Sequence, residues 1–226
     1  MTISLPRHWP SARFLGRLIR DRHGVAAVEF AIILPLMLTL YLGGAELTQG
    51  LITTRKSTNV ASALSDLVAE QAAGATLTDS EIADVFAAAT AIMSPYSTTS
   101  LKMTVSSVEF VTDSNAATGF DAKIRWTITN NGGTPRPCQI MTGVANNSNP
   151  SPTTMPAGIY PASGSAQATA IISDTTYIYT PAIGGSLLAW SSTAASLTFT
   201  HTTYMRPRNQ YSITYSGSTG TVCASY

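Results

Sequence analysis

The sequence predicts an α+β protein with an N-terminal transmembrane helix, followed by amphipathic helices that pack on an antiparallel β-sheet. Three observations support this fold class. A long apolar segment begins at Val25, two stretches with a helical apolar period follow it, and from Leu101 onward the apolar period changes to two. The chain has 226 residues, which is room for one ordinary domain in addition to the anchor.

The anchor is predicted at residues 25–45, which read VAAVEFAIILPLMLTLYLGGA and contain a single charged residue, Glu29. A helix of this length spans about 31 Å, the thickness of a bilayer core. Beyond the anchor, the spacing of one helix face continues at Val60, Leu64, Leu67 and Val68. The helix is therefore predicted to run on to about Gln71 and to pack against the following domain.

A second helix is predicted to begin after Thr78, because Thr78-Asp79-Ser80-Glu81 has the sequence of a capping box. It ends before Pro95, which cannot continue a helix. The residues expected on its buried face are Ile82, Val85, Phe86, Ala89, Ile92 and Met93.

Period-two alternation predicts the strands, most clearly from Phe120 to Thr129, where apolar and polar residues alternate. In the preceding strand, the apolar residues at 103 and 105 are out of phase with those at 108 and 110, which predicts a β-bulge near Ser106-Ser107. The predicted strands are Leu101–Val111, Phe120–Thr129, Ala166–Thr180, Leu197–Arg206 and a short fifth strand at Tyr211–Tyr215.

Residues 131–165 are rich in Gly, Pro, Asn and Ser and show no apolar period. So long a stretch without secondary structure is unusual inside a compact domain. These residues are therefore expected to form an exposed loop that is either flexible or functional.

Charge is low and unevenly distributed. Only 11% of the residues are charged, against about 25% in an average soluble chain. Residues 1–24 hold five arginines and one acid, and arginines at one end of an apolar segment keep that end in the cytoplasm. This pattern predicts a basic cytoplasmic leader at 1–24, a transmembrane helix at 25–46, and an extracytoplasmic domain at 47–226. It argues against nucleic-acid binding.

The two cysteines, Cys138 and Cys223, are 85 residues apart, and no neighbouring Cys or His completes a zinc site. In an oxidising compartment they are expected to form one disulfide, which would stabilise the domain by about 4 kcal/mol. Two buried free thiols are the alternative, and the sequence leaves it open.

A cleaved secretory signal is the alternative interpretation of the N-terminal segment. Phe30–Leu42 is an apolar run of 13 residues, and Gly43-Gly44-Ala45 offers small residues for cleavage. The long basic head, and the acid Glu29 at the start of the apolar stretch, favour a retained anchor.

Gly24, Glu29 and Phe30 stand where type IV prepilins, and more closely the TadE-like pseudopilins of the tight-adherence pilus system, have their characteristic residues. In the families that this segment resembles, a basic leader ends in Gly, a prepilin peptidase cuts after it, and the fifth mature residue is Glu. An aromatic residue follows in the tight-adherence branch. Leu34-Pro35 matches the L-P of TadE-like anchors. Weaker similarities are Tyr177-Ile178-Tyr179-Thr180-Pro181 and Tyr204-Met205-Arg206-Pro207-Arg208.

The resemblance implies cleavage between Gly24 and Val25 and a role for Glu29 and Phe30 in assembly. It implies a pilus assembly protein or minor pseudopilin, stored in the membrane and either incorporated into the pilus or assisting it. The partners to be expected are the inner membrane, the prepilin peptidase, other pilins and pseudopilins, and tight-adherence assembly components. Glu29 would pair with the α-amino group of a neighbouring subunit, whereas a tolerated interfacial acid is the alternative.

The sequence contains no G-x-S-x-G, P-loop, G-x-G-x-x-G or H-E-x-x-H motif. Of its histidines, only His201 lies outside the leader. We therefore expect no catalytic residues, no cofactor and no metal site, and an anchored hydrolase assembled only in space is the enzymatic alternative. A periplasmic binding or adhesin-like module on an uncleaved signal anchor, with 131–165 as its contact surface, is the non-enzymatic alternative.

Overall fold

The computed structural model describes residues 24–72, 75–145, 151–162, 168–182, 196–208 and 212–223. The chain divides into two units, Met1–Leu47 and Thr48–Tyr226. The predicted leader lies outside the described residues except for Gly24. The fold is α+β, as predicted, with a long apolar N-terminal helix, a second helix and a mixed β-sheet.

Helix α1 (Val25–Ala69) contains the predicted anchor and ends close to the predicted end at Gln71. Leu67, which the apolar spacing placed on the buried face, is 37% exposed, so that prediction was wrong. The helix turns its Ala61 and Ser65 side toward the interior, which leaves Leu67 at the edge of the buried stripe. That stripe consists of Gly50, Thr53, Ser57, Val60, Ala61, Leu64, Ser65, Val68 and Ala69.

Helix α2 (Asp79–Ala91) begins with the predicted capping box. The Thr78 hydroxyl accepts a hydrogen bond from the Glu81 N–H, and the Glu81 carboxylate accepts one of 2.8 Å from the Thr78 N–H. The predicted apolar face packs in the core, with Ile82, Val85, Phe86, Ala89 and Met93 buried and Ile92 half-buried.

The described part of the chain contains nine strands: β1 (Thr76–Leu77), β2 (Leu101–Thr112), β3 (Phe120–Asn130), β4 (Ile140–Val144), β5 (Thr154–Pro156), β6 (Ala168–Tyr179), β7 (Leu197–Met205), β8 (Thr214–Tyr215) and β9 (Thr221–Val222). The main sheet has the order β5-β4-β3-β2-β6-β7, and β9 also pairs with β3. The four long strands are antiparallel, as predicted, and the edge pair β4-β5 is parallel.

The predicted fifth strand at Tyr211–Tyr215 is corrected in its extent and in its sheet. Tyr211 lies outside the described residues. Strand β8 forms a separate parallel pair with β1, in which Leu77 lies opposite Tyr215. A two-residue strand is too short to show an alternation in the sequence, so its partner is decided by the surrounding fold.

A register shift occurs next to the predicted position, between Ser107 and Val108, but the prediction of the bulged strand was wrong, because the extra residue lies on β3. Ser107 pairs with Trp126 and Val108 pairs with Ile124, so Arg125 has no opposite residue on β2. On its other edge, β2 pairs with β6 in an unbroken register. The bulge therefore belongs to β3.

Two hydrophobic clusters lie on opposite faces of the sheet, which explains the change of phase in β2. One cluster packs with α1 and α2, and its sheet residues include Leu101, Met103, Val105, Trp126 and Ile128. The other begins beyond the bulge and includes Val108, Phe110, Phe120, Ala122 and Ile124. Each half of β2 thus contributes to a different core.

The prediction that residues 131–165 lack structure was wrong for their described part. Strands β4 and β5 lie within this stretch, and a 3₁₀ turn at Ala157–Ile159 follows them. Met141, Met155 and Tyr160 are buried in the second cluster, where the Tyr160 ring centre lies 5.3 Å from that of Phe110. The stretch folds because it covers apolar sheet surface beyond the bulge.

Cys138 and Cys223 form a disulfide, with their Cα atoms 5.4 Å apart. The Cys223 N–H donates a 2.8 Å hydrogen bond to the carbonyl of Arg125, the bulge residue. The disulfide therefore joins the start of the 131–165 stretch to the C-terminal segment, next to β3.

Asp79, the first residue of α2, holds the C-terminal segment against the start of that helix. Its carboxylate accepts hydrogen bonds from the Tyr215 hydroxyl and from the backbone and hydroxyl groups of Ser218 and Thr219. A Cβ at Gly217 would collide with the Asp79 carboxylate and the Tyr215 hydroxyl, so a larger residue there would displace these two side chains. The bonds from Ser218, Thr219 and Tyr215 hold the pKa of Asp79 far below its ordinary value.

Replacement of Asp79 by asparagine is expected to lower the Tm at pH 7, because an amide cannot accept all of these hydrogen bonds. A carboxyl group whose pKa is lower in the folded chain stabilises the fold above its unfolded pKa, and this stabilisation is lost as the pH falls. The Tm difference between wild type and Asp79→Asn should therefore shrink below about pH 4. Thermal unfolding at several pH values measures both effects, and equal Tm values at pH 7 would show that the hydrogen bonds to the Asp79 carboxylate do not stabilise the fold.

Candidate functional site

The N-terminal part of α1 is the candidate functional site. Gly24 directly precedes the helix, which begins at Val25. The large apolar side chains from Val25 to Tyr41 are 46% to 74% exposed, in contrast to the buried stripe that begins at Gly50. Helix α1 contains a segment that is long and apolar enough to cross a membrane. It is compatible with a single-pass membrane anchor.

The four residues predicted for processing and assembly lie together at the start of this helix. Gly24 and Glu29 are exposed, Val25 is 51% exposed and Phe30 is 64% exposed. Val25 and Glu29 are four residues apart in a continuous helix, so their side chains lie on the same face. A carboxylate near a helix N-terminus also interacts favourably with the helix dipole.

Pro35 lies inside the helix without ending it. It lacks the N–H that would bond to the carbonyl of residue 31. One turn later, the Thr39 hydroxyl donates a 2.8 Å hydrogen bond to the Pro35 carbonyl. Membrane helices tolerate an internal proline, so Pro35 is compatible with a membrane span.

The described residues contain no group of three His, Cys, Asp or Glu side chains that could hold a metal ion. His201 lies on β7, and its Nε2 atom is buried with no hydrogen-bond partner among these residues. Burial lowers the pKa of His201, which favours its neutral form.

A second feature, which we call the polar cleft, is formed mainly by Lys102, Thr104, Arg136, Asp174, Thr176 and Thr202. Its volume is about 250 Å³. Arg136 is only 2% exposed, and its guanidinium donates two hydrogen bonds of 2.8 Å to the two carboxylate oxygens of Asp174. Such a bidentate pair fixes both side chains.

Sequence reasoning missed the polar cleft. Arg136 lies in the stretch that was expected to be unstructured, and Asp174 interrupts an apolar strand 38 residues away. The one available signal was Asp174 itself, a carboxylate in a strand whose neighbours Ile171 and Ile172 are fully buried. A charge in such a strand requires a partner, although the sequence does not say which residue supplies it.

Comparison with known proteins gives one match. Residues 24–64 match the family described as TadE-like protein. This range begins at Gly24 and includes Glu29, Phe30 and Leu34-Pro35, so the resemblance stated from those residues is confirmed. No curated protein and no solved structure matches the chain. The segment from Gly24 to Leu64 is TadE-like, and it relates this protein to the tight-adherence pilus system.

Proposed function

We propose that this protein is a minor pseudopilin of the tight-adherence pilus system. It is stored in the inner membrane by α1 and is then incorporated into the pilus or assists its assembly. The TadE-like match over residues 24–64 carries the proposal, because Gly24, Glu29 and the exposed apolar helix lie within it in the order that a prepilin needs. The function is assembly and not catalysis.

The topology follows from charge and from the disulfide. Five arginines in residues 1–24 favour a cytoplasmic N-terminus. The disulfide between Cys138 and Cys223 favours an oxidising compartment for the domain at 47–226. Both observations support a single-pass protein with its domain in the periplasm, and at the cell surface after assembly.

The residues at the start of α1 indicate the partners of the protein, which are a prepilin peptidase and other pilin or pseudopilin subunits. A prepilin peptidase would cut between Gly24 and Val25, and the cut would free the α-amino group of Val25. Because Val25 and Glu29 share one helix face, that amine and the carboxylate of Glu29 lie within a turn of each other. The carboxylate can then pair with the amine of its own chain or with that of a neighbouring pilin or pseudopilin. The exposed apolar side chains around it would contact lipid before assembly and other subunits or tight-adherence components afterwards.

The cleavage site tests the proposal. The membrane form of the wild-type protein should begin at Val25, whereas Gly24→Val should keep the leader and remain in the membrane. The side chain at position 24 is expected to obstruct the peptidase and not the fold, because a Cβ there meets nothing within 4 Å. Intact mass and N-terminal sequencing measure both outcomes.

Gly43→Val is the matched control. Position 43 is equally open, since a Cβ there also meets nothing within 4 Å, and it lies beside the site that a secretory signal peptidase would use. This variant should be cut after Gly24 like the wild type. A wild-type chain that begins at Met1 or at Glu46 would contradict the proposal.

The polar cleft favours a second candidate function, a periplasmic binding or adhesin-like module on an uncleaved signal anchor. Part of the cleft wall, at Gly133, Thr134, Arg136, Ser151 and Pro152, comes from the 131–165 stretch that this alternative assigns to contact. The two functions differ in the first residue of the membrane form, which is Met1 for an uncleaved anchor.

A further inference from the structure

The floor of the polar cleft is one face of the sheet, where the strand register aligns polar side chains in two adjacent rows. In the first row, Thr104 of β2, Asp174 of β6 and Thr202 of β7 lie directly opposite one another. In the second row, Lys102, Thr176 and Thr200 do the same. Alternation along the strands makes all six side chains point to the same face.

The charged and polar groups of the first row that surround Asp174 are occupied by hydrogen bonds within the protein. Asp174 binds the buried Arg136 with both oxygens, and the Thr202 hydroxyl donates a 2.6 Å hydrogen bond to the same carboxylate. Arg136 also donates to the carbonyls of Ser151 and Pro152 at 3.2 and 3.3 Å. The cleft therefore has a rigid base whose two opposite charges are paired, as a preorganised binding site requires.

The second row is available to a ligand. Lys102 and Thr200 are exposed and Thr176 is half-buried. Among the described residues, Lys102 forms no ion pair, and the hydroxyls of Thr176 and Thr200 have no hydrogen-bond partner. With Arg136 and Asp174 neutralising each other, the ammonium of Lys102 leaves one net positive charge beside two hydroxyls, each of which can both donate and accept.

From this arrangement we propose that the polar cleft binds an acidic sugar of the hexuronate class. Lys102 would pair with the sugar carboxylate, and Thr176 and Thr200 would hydrogen-bond its ring hydroxyls. A volume of about 250 Å³ is below the ~300 Å³ at which pockets for drug-sized ligands begin, so one sugar ring is a suitable size. The inference goes beyond the pseudopilin function and does not depend on it.

A peptide is the less suitable ligand. Extended peptides bind by adding a strand to an open sheet edge, whereas the floor of the cleft is a sheet face whose strands already pair with each other. A helical peptide needs a hydrophobic groove, and the side chains on this floor are all polar.

The test is titration of the full-length protein in mild detergent with glucuronate, followed by ligand-detected NMR. Glucose and acetate are tested in parallel, since each carries only half of the proposed recognition chemistry. Lys102→Gln should weaken glucuronate binding at least tenfold and leave the weak binding of glucose unchanged. Lys123→Gln, a half-buried lysine on β3 that does not line the cleft, is the matched control and should bind like the wild type.

Three results would overturn the inference. They are no glucuronate binding at millimolar concentration, equal binding of acetate and glucuronate, and tighter binding of a short peptide with a free C-terminal carboxylate. A uronate oligosaccharide distinguishes the source of the ligand. Tighter binding of the oligomer than of the monomer would assign the cleft to a sugar unit within a polysaccharide, and equal binding would assign it to the free sugar.

Discussion

Replacement of Glu29 by leucine is expected to reduce surface pili by about tenfold or more, because it would remove one partner of the proposed ion pair with the α-amino group freed at Val25. Expression, cleavage after Gly24 and membrane insertion should stay near wild type. A lone carboxylate in the apolar phase costs about 3 kcal/mol on insertion scales, so for a simple anchor the same change would be neutral or favourable. Pilus abundance on cells that carry the variant is the measurement, with immunoblots for protein level and processing.

Val28→Leu is the control for this experiment. It changes the apolar surface of the same helical turn and leaves the carboxylate in place, so pili should form normally. Normal piliation of the Glu29→Leu variant would identify Glu29 as a tolerated interfacial acid. It would favour the second candidate function, the periplasmic binding or adhesin-like module, over the pseudopilin.

Replacement of Arg136 by leucine is expected to lower the free energy of unfolding by about 3 kcal/mol, the size of loss found when one member of a buried ion pair is removed. The change leaves the Asp174 carboxylate, whose side chain is 23% exposed, without its charged partner. It also leaves the carbonyls of Ser151 and Pro152 without their donor. Urea unfolding followed by tryptophan fluorescence measures the loss, since Trp126 is buried in the core.

Two further variants separate the possible causes. Arg208→Leu removes an exposed ion pair with Asp66, and it should cost less than about 1 kcal/mol. Arg136→Leu combined with Asp174→Leu should recover part of the stability, because no unpaired charge is left behind. A loss of less than about 1 kcal/mol in Arg136→Leu would show that this pair contributes no more than a surface pair does.

Local patterns predicted much of the fold. The capping box at Thr78 depends on residues three positions apart, and it was found as predicted. The phase change in β2 predicted a bulge in that strand, but β2 keeps an unbroken register with β6, and its phase changes because its two halves are buried on opposite faces of the sheet. The extra residue, Arg125, was not predicted, because it depends on the register between two strands and the sequence of one strand does not contain that register.

Long-range packing explains the wrong predictions. Residues 131–165 have no apolar period, yet Met141, Met155 and Tyr160 are buried because the sheet offers an apolar face beyond the bulge. Leu67 has the spacing of a buried residue and is exposed, because the sheet determines how far α1 is rotated about its axis. In both cases the segment packs on a surface formed by residues far away in the chain. The sequence of the segment alone therefore does not predict which of its residues are buried.

The sequence by itself determined the long apolar helix, the TadE-like segment beginning at Gly24 and the change from helices to strands, because each depends on residues that are close together along the chain. Only the tertiary structure decided that Arg136 pairs with Asp174, and that Lys102, Thr176 and Thr200 form one row across three strands. The physical reason is that strand pairing and burial select partners by their position in space. The sequence around a polar residue in a loop does not indicate which polar residue in a strand it will pair with, because the folded sheet brings the two together.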